Sequence, residues 1–224
     1  MKIFSKIRYQ YFEAIEKRAW LLGILTALFV SFGGLAEIVP LFAAANSVKA
    51  PENVKPYSAL RLAGFETYVH NGCYLCHSQM IRRLGFETDR YGPVSTAVES
   101  VYDRPFQWGS KRTGPDLARV GGKYSDAWQY AHLINPRSVV PESNMPNYDF
   151  LAHTPVDVEN LQGVMRARQL LGEPYTDEDI AKAADEVKGK SELDALVAYL
   201  QGLGIDNEPG GVAPKTQPTS EFYQ

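Results

Sequence analysis

Two kinds of apolar pattern divide the chain. From Ala19 to Ala36 the run AWLLGILTALFVSFGGLA carries no charge, and apolar character resumes after Glu37 with Ile38, Val39, Leu41 and Phe42. A helix needs about 20 mostly apolar residues to cross the hydrocarbon core of a bilayer, so residues 19–42 are predicted to form a transmembrane anchor with Trp20 at one interface. A cleaved signal peptide would show an apolar region of only about 7–15 residues before small residues at its cleavage point. Ala43-Ala44-Ala45 imitates such a point, but the run before it is too long. No polar stripe interrupts it, as one would in the helix of a soluble core. Gly33-Gly34 and the costly Glu37 suit contact with a partner helix. Lys2, Lys6, Arg8, Lys17 and Arg18 precede the run, against Glu13 and Glu16, while only Lys49 and Lys55 follow it closely. The positive-inside rule therefore puts 1–18 in the cytoplasm and the chain beyond about residue 43 on the other side, the periplasmic face of a bacterial inner membrane.

Beyond the anchor the period changes. Residues 43–56 read as a Pro-punctuated linker and 205–224 as a Pro/Gly/Gln-rich tail. Between them, 57–204 is the size of one domain. Tyr57 to Asn71 is predicted helical, with Leu60, Gly64 and Tyr68 at four-residue spacing and Leu62, Phe65 and Val69 on an adjoining face. Ser191 followed by Asp194 makes a capping box for a closing helix, in which Leu193, Leu196, Val197 and Leu200 recur at helical spacing until Gly202 and Gly204. Another helix starts near Thr176-Asp177, with acids in its first turn. Residues 85–150 lack clear periodicity and read as long loops around short helices. No alternating β-branched run is long enough to found a sheet, so the fold class is all-α.

Composition narrows the function. With 224 residues, 45% hydrophobic and 22% charged, and a mean hydropathy of -0.26, the chain is neither polytopic nor wholly disordered. A net charge of -3 lacks the basic bias of nucleic-acid binding. The two cysteines, Cys73 and Cys76, are too close in sequence to staple a fold.

They stand in Cys73-Tyr74-Leu75-Cys76-His77, a C-x-x-C-H motif. Its two thiols can add to the two vinyl groups of a haem, and the adjacent imidazole can ligate the iron. A redox dithiol would be expected in a strand–helix setting, and zinc would call for a second Cys/His pair. Neither accompanies the motif. Electron-carrying haem iron takes a second axial ligand, and a thioether opposite histidine raises the potential. Met80 lies three residues past His77, on the attachment side. Met165 sits in an amphipathic helix, where a core or surface methionine is the simpler reading. Met145, in Pro141-Glu142-Ser143-Asn144-Met145-Pro146, lies in a segment pinned by prolines and is the favoured ligand. His70, His132 and His153 read as surface or hydrogen-bonded histidines. Thr113-Gly114-Pro115-Asp116-Leu117 can present the Pro115 carbonyl to the His77 ring N–H, the outer bond that orients such a ligand.

The order of a Gly64/Tyr68 helix, CYLCH, GPDL, NMP and LVAYL resembles class I cytochromes c, whose first and last helices cross; Gly64, Tyr68 and Tyr199 stand at the matching positions. A closer resemblance is carried by NGCYLCHSQMIR, DRYG, ESVYDRPFQWGSKRTGPDLARVGGKYSDAW, NPRSVVPESNMPNYDFL and YTDEDI. Together these resemble the mono-haem, membrane-anchored subunit of cbb3-type cytochrome c oxidase, from the anchor to about Gly204. The related subunit of nitric oxide reductase is disfavoured by GSKRTGPDLARVGGKYSD.

The resemblance implies one covalent haem c held by Cys73, Cys76, His77 and Met145, with Pro115 and Leu117 beside it. It implies electrons arriving from a di-haem cytochrome c subunit and leaving to haem b of a polytopic catalytic subunit, which alone handles oxygen. It also implies a calcium ion near that interface, with Ser110 of Trp108-Gly109-Ser110 contributing. Rivals are a free-standing membrane-anchored cytochrome c carrier and a scaffold subunit whose haem is structural.

Independently of that resemblance, the stretch from Arg82 to Arg112 holds Phe86, Tyr91, Tyr102, Phe106 and Trp108, which need either a partner surface or a large core to cover them. Charge is uneven: 82–137 has nine basic and six acidic residues, +3, and 157–208 has five basic and twelve acidic, -7. One face is suited to an anionic patch and the other to solvent or a basic donor.

Overall fold

A computed structural model describes residues 12–45, 50 and 54–204. Lys2, Lys6, Arg8 and Lys49, residues 46–49 and 51–53 of the linker and all of the 205–224 tail lie outside the described residues. The chain separates into two compact units, Met1–Lys49 and Ala50–Gln224.

The first unit contains helix α1 (Ala19–Ala45). Its Ala19–Pro40 portion has a mean hydropathy of 2.0 over the apolar window, none of it buried within the protein. Trp20, Phe29, Val30 and Phe32 are all exposed. A helix with apolar side chains on every face has no stable place in water, and this one is long and apolar enough to cross a membrane. Pro40 falls inside it and removes one N–H from the helix ladder, as membrane-spanning helices tolerate.

The second unit is helical, with no strand among the described residues; an isolated antiparallel bridge pairs Pro155 with Ser191. Its helices are α2 (Ala59–His70), α3 (Gly85–Tyr91), α4 (Asp126–Ile134), α5 (Pro136–Val139), α6 (Val158–Leu170), α7 (Asp177–Glu186) and α8 (Glu192–Gly202). Local chemistry sets their starts. Ser125 and Asp157 accept N–H groups of the first turns of α4 and α6, while Thr176/Asp179 and Ser191/Asp194 form full capping boxes at α7 and α8.

The core forms where α2 crosses α8. Leu62, Phe65 and Tyr68 from α2 meet Leu193, Leu196 and Tyr199 from α8, all essentially without exposure. The helices approach so closely that a Cβ on Gly64 would lie 2.0 Å from the Ala195 carbonyl oxygen and 2.7 Å from Tyr199 Cβ. Only hydrogen fits there. Around this crossing the rings of Tyr57, Phe65 and Tyr68 lie 5.8, 5.6 and 5.6 Å from that of Tyr199. Such ring pairs add roughly 0.5–1.5 kcal/mol each beyond their buried area. Leu161 and Met165 from α6 and Ile180, Ala183 and Val187 from α7 close the core. Met165 is thus a core residue.

The segment 82–112 is tied down by polar bonds. Tyr57 donates to Asp103 at 2.6 Å, Arg168 donates to the carbonyls of Tyr102 and Arg104, and Arg119 grips Glu99 with two nitrogens. Phe86, Phe106 and Trp108 stay exposed at 67%, 53% and 41%. The core of this chain does not cover them.

Candidate functional site

Helix α2 leads into a tight 3₁₀ turn over Cys73–Leu75, in which the N–H groups of Cys76 and His77 both donate to the Cys73 carbonyl. Cys73 and Cys76 are not joined in a disulfide. Burial pushes the Cys73 thiol up to about 11, so it remains protonated at neutral pH. Thiols that serve redox exchange are shifted the opposite way.

His77 is oriented from behind. Its Nδ1 lies 2.8 Å from the Pro115 carbonyl oxygen, an acceptor only, so Nδ1 carries the proton and Nε2 keeps its lone pair. Burial lowers the pKa of this imidazole, opposed by the bond to Pro115. The chain passes so near the ring that a Cβ on Gly114 would lie 2.3 Å from His77 Cε1. The two segments are also laced together, Gly114 N–H donating to Cys76 and Leu117 N–H to Ser78, each at 2.9 Å.

These residues line a cavity of about 360 Å³, within the roughly 300–1,000 Å³ range of cofactor pockets. Cys73, Cys76, His77, Pro115, Leu117 and Met145, six of the seven residues singled out from sequence, all line it. Met145 comes from the irregular segment after α5. That segment is held by Tyr148 N–H donating to the Leu133 carbonyl at 2.9 Å, and Met145 packs partly against the core. Ser110 is exposed and does not line the cavity. Met80 is also outside it, and His70 and His153 are exposed.

His132 differs from its expected surface or hydrogen-bonded state. It lines the cavity, its Nδ1 buried without a partner, because α4 packs with its His132 edge against the cavity and its Leu133 edge in the core. Burial first and His77 second push its pKa down to about 4, so it is neutral. Gln129, one turn earlier, lines the same wall with Nε2 buried and unpartnered. The sequence did carry one signal for this wall: Tyr124, Trp128 and His132 recur every four residues, and their rings stack at 4.0 and 4.7 Å. Arg90 and Lys123 also line the cavity, and Lys123 is lowered in pKa by burial and by the nearby guanidinium of Arg90. Nothing in the local sequence marked these two.

The donor set fits a haem. A thiol pair, a neutral imidazole with a free Nε2 and a thioether share one cavity whose remaining wall includes Leu133, Leu196 and Leu200. Two cations and the unpartnered Gln129 amide suit the porphyrin's carboxylates. Among the described residues no group of three His, Cys, Asp or Glu is placed to hold a bare metal ion.

Comparison with curated proteins found no match. Comparison with protein families found that residues 12–191 match the family described as cytochrome c oxidase, mono-heme subunit/FixO.

Proposed function

The chain belongs to the mono-haem subunit family of cytochrome c oxidase, and from that premise we propose that it is the single-haem electron relay of a cbb3-type oxidase. The observation that carries this reading is the convergence of Cys73, Cys76, His77 and Met145 on one cavity, with the Pro115 carbonyl behind His77. Cys73 and Cys76 hold the haem covalently through thioethers, and His77 Nε2 and Met145 sulfur bind its iron. When bound, the haem supplies one-electron chemistry with no proton transfer from side chains. The chain's own part is to orient the imidazole, exclude water with Leu133, Leu196 and Leu200, and set the potential by ligand type and burial.

In this reading electrons enter from a di-haem cytochrome c subunit and leave to haem b of the polytopic catalytic subunit, and no oxygen chemistry occurs on this chain. α1 anchors it in the bacterial inner membrane with the N-terminus cytoplasmic and the haem unit periplasmic. The exposed Phe86, Phe106 and Trp108 are suited to contact with the catalytic subunit. A calcium ion at that contact, touched by Ser110, would draw its other oxygen ligands from backbone carbonyls and the partner.

The deciding experiment is a reduced-minus-oxidised spectrum, with haem and copper analysis, of the protein purified in mild detergent. Haem c arriving together with haem b, copper and a polytopic partner is the expected result. One haem c per chain, alone despite gentle extraction, would replace the oxidase with a free-standing carrier. Failure of the reduced haem to reoxidise with oxygen in the intact complex would favour a scaffold role.

A further inference from the structure

Beside the cavity lies a cluster of charges around the buried carboxylates of Glu87 and Asp116 that haem attachment does not itself require. The side chain of Glu87, on α3, is wholly shielded from solvent. Its carboxylate accepts the Arg82 backbone N–H at 2.8 Å, pairs with the Arg82 guanidinium, and accepts Arg112 Nη2 at 2.9 Å. Arg112 Nη2 also donates to the Met80 carbonyl at 2.9 Å and reaches Asp116 Oδ2 at 3.3 Å, while its Nε donates to Ser78 Oγ at 2.6 Å. The Ser78 hydroxyl in turn donates to Asp116 Oδ2 at 2.6 Å. Asp116 Oδ2 accepts the Met80 N–H at 3.0 Å, and its Oδ1 accepts the Ala118 N–H at 2.9 Å.

The chemistry of the cluster is balanced, two carboxylates against two guanidiniums, which is the condition under which buried charge is tolerated. Its geometry is specific. Ser78 follows His77, and Asp116 follows Pro115. Arg112 binds both Ser78 and Asp116, and Glu87 accepts from the same Nη2 that reaches Asp116. The bond between His77 Nδ1 and the Pro115 carbonyl is therefore bracketed by a rigid, charge-assisted clamp whose far end is α3.

We propose that Arg112 and Glu87 are positioning residues for His77, acting through Ser78 and Asp116 to hold the Pro115 carbonyl against the Nδ1 proton. The proposal rests on His77 being the iron ligand. An imidazole whose Nδ1–H is strongly held is a better donor to the oxidised metal, so a loosened clamp raises the midpoint potential.

The test uses the full chain in detergent with its haem attached. Arg112→Gln, Glu87→Gln and Arg112→Lys are compared with the wild type by spectroelectrochemical midpoint potential and by deuterium exchange of the His77 Nδ1 proton in NMR. Arg104→Gln serves as control, since it opens an ion pair with Glu173 that touches neither His77 nor Pro115. Both glutamine variants are expected to raise the potential and to exchange the Nδ1 proton about tenfold faster, the scale of losing one hydrogen bond. Arg112→Lys, which keeps the charge but not the fork, is expected to fall between them and the wild type, and Arg104→Gln to match the wild type. A merely coulombic cluster would move the potential in opposite directions when Arg112 and Glu87 are neutralised, and that result, or unaltered Nδ1 exchange, overturns the proposal. If the glutamine variants do not accumulate, Arg112→Lys decides, with wild-type exchange counting against it. Wild-type protein without covalent haem would instead overturn the haem reading on which the proposal stands.

Discussion

His77, the proposed iron ligand, takes much of its chemistry from outside its own side chain. Its neutral state comes from burial, its tautomer from the Pro115 carbonyl, and its room to sit there from the missing side chain of Gly114. Met145 has no such frame of hydrogen bonds, since a thioether is only a weak acceptor. Met145→Ala is therefore expected to leave the haem attached through Cys73 and Cys76 while shifting its low-spin spectrum and lowering its potential, checked by pyridine haemochrome and redox titration. An unchanged low-spin spectrum would point instead to His132, which faces the same cavity. Asp103 offers a test in which burial is the leading cause. Desolvation raises its carboxyl from an ordinary 3.8 to about 6, only partly offset by the Tyr57 hydroxyl. A raised folded-state pKa means that the stability it contributes is complete below about 4 and is lost as pH rises towards about 6. Asp103→Asn should remove that slope. The urea midpoint of the wild type, measured against the variant, is expected to fall between pH values of about 4 and 6 and to run level above.

Between elements, the decisive contact is the crossing of α2 and α8. Helical periodicity marked both helices, and the Ser191/Asp194 box placed the start of the second where it is found. What periodicity does not contain is the depth of their approach. Gly64→Ala would set a methyl carbon 2.0 Å from the Ala195 carbonyl oxygen, with backbone rather than a flexible chain end in the way. The helices must separate, and the Tyr199 ring stack with them, so a loss of roughly 3 kcal/mol or more in unfolding free energy is expected from chemical denaturation. Stability close to wild type would mean that the crossing is looser than 2.0 Å implies. The stretch 82–112 behaves differently. It was legible as aromatic and irregular, yet its anchoring by Glu87, Asp103 and Arg119 was not, because polar partners far apart in sequence leave no periodic trace.

For the molecule as a whole, two units with opposite solvent preference share one chain. α1 exposes apolar side chains along its length, whereas the second unit buries its own around the α2–α8 crossing. The full chain is expected to resist alkaline carbonate extraction from membranes, and proteolytic cleavage near residue 49 to release the second unit with its haem still attached. In intact spheroplasts added protease should cleave the haem unit; protection there, with cleavage only in inverted vesicles, would reverse the proposed orientation. Phe86, Phe106 and Trp108 are among the large apolar side chains that the second unit leaves exposed.

The sequence alone determined what is local. An uncharged run is long or short, a thiol pair has one spacing, and a capping box is complete within four residues, so the span, the C-x-x-C-H motif and the starts of α7 and α8 could all be read directly. The prolines around Met145 ranked it above the other methionines, but only the tertiary structure brings its segment to the cavity that His77 lines. The fold likewise turned His132 and Gln129 into cavity walls and enclosed Glu87 with Arg112 and Asp116. The physical reason is shared. Burial and close approach are properties of pairs of residues separated by tens of positions, and they exist only once α2 and α8 have crossed and the loops between them have closed around the cavity.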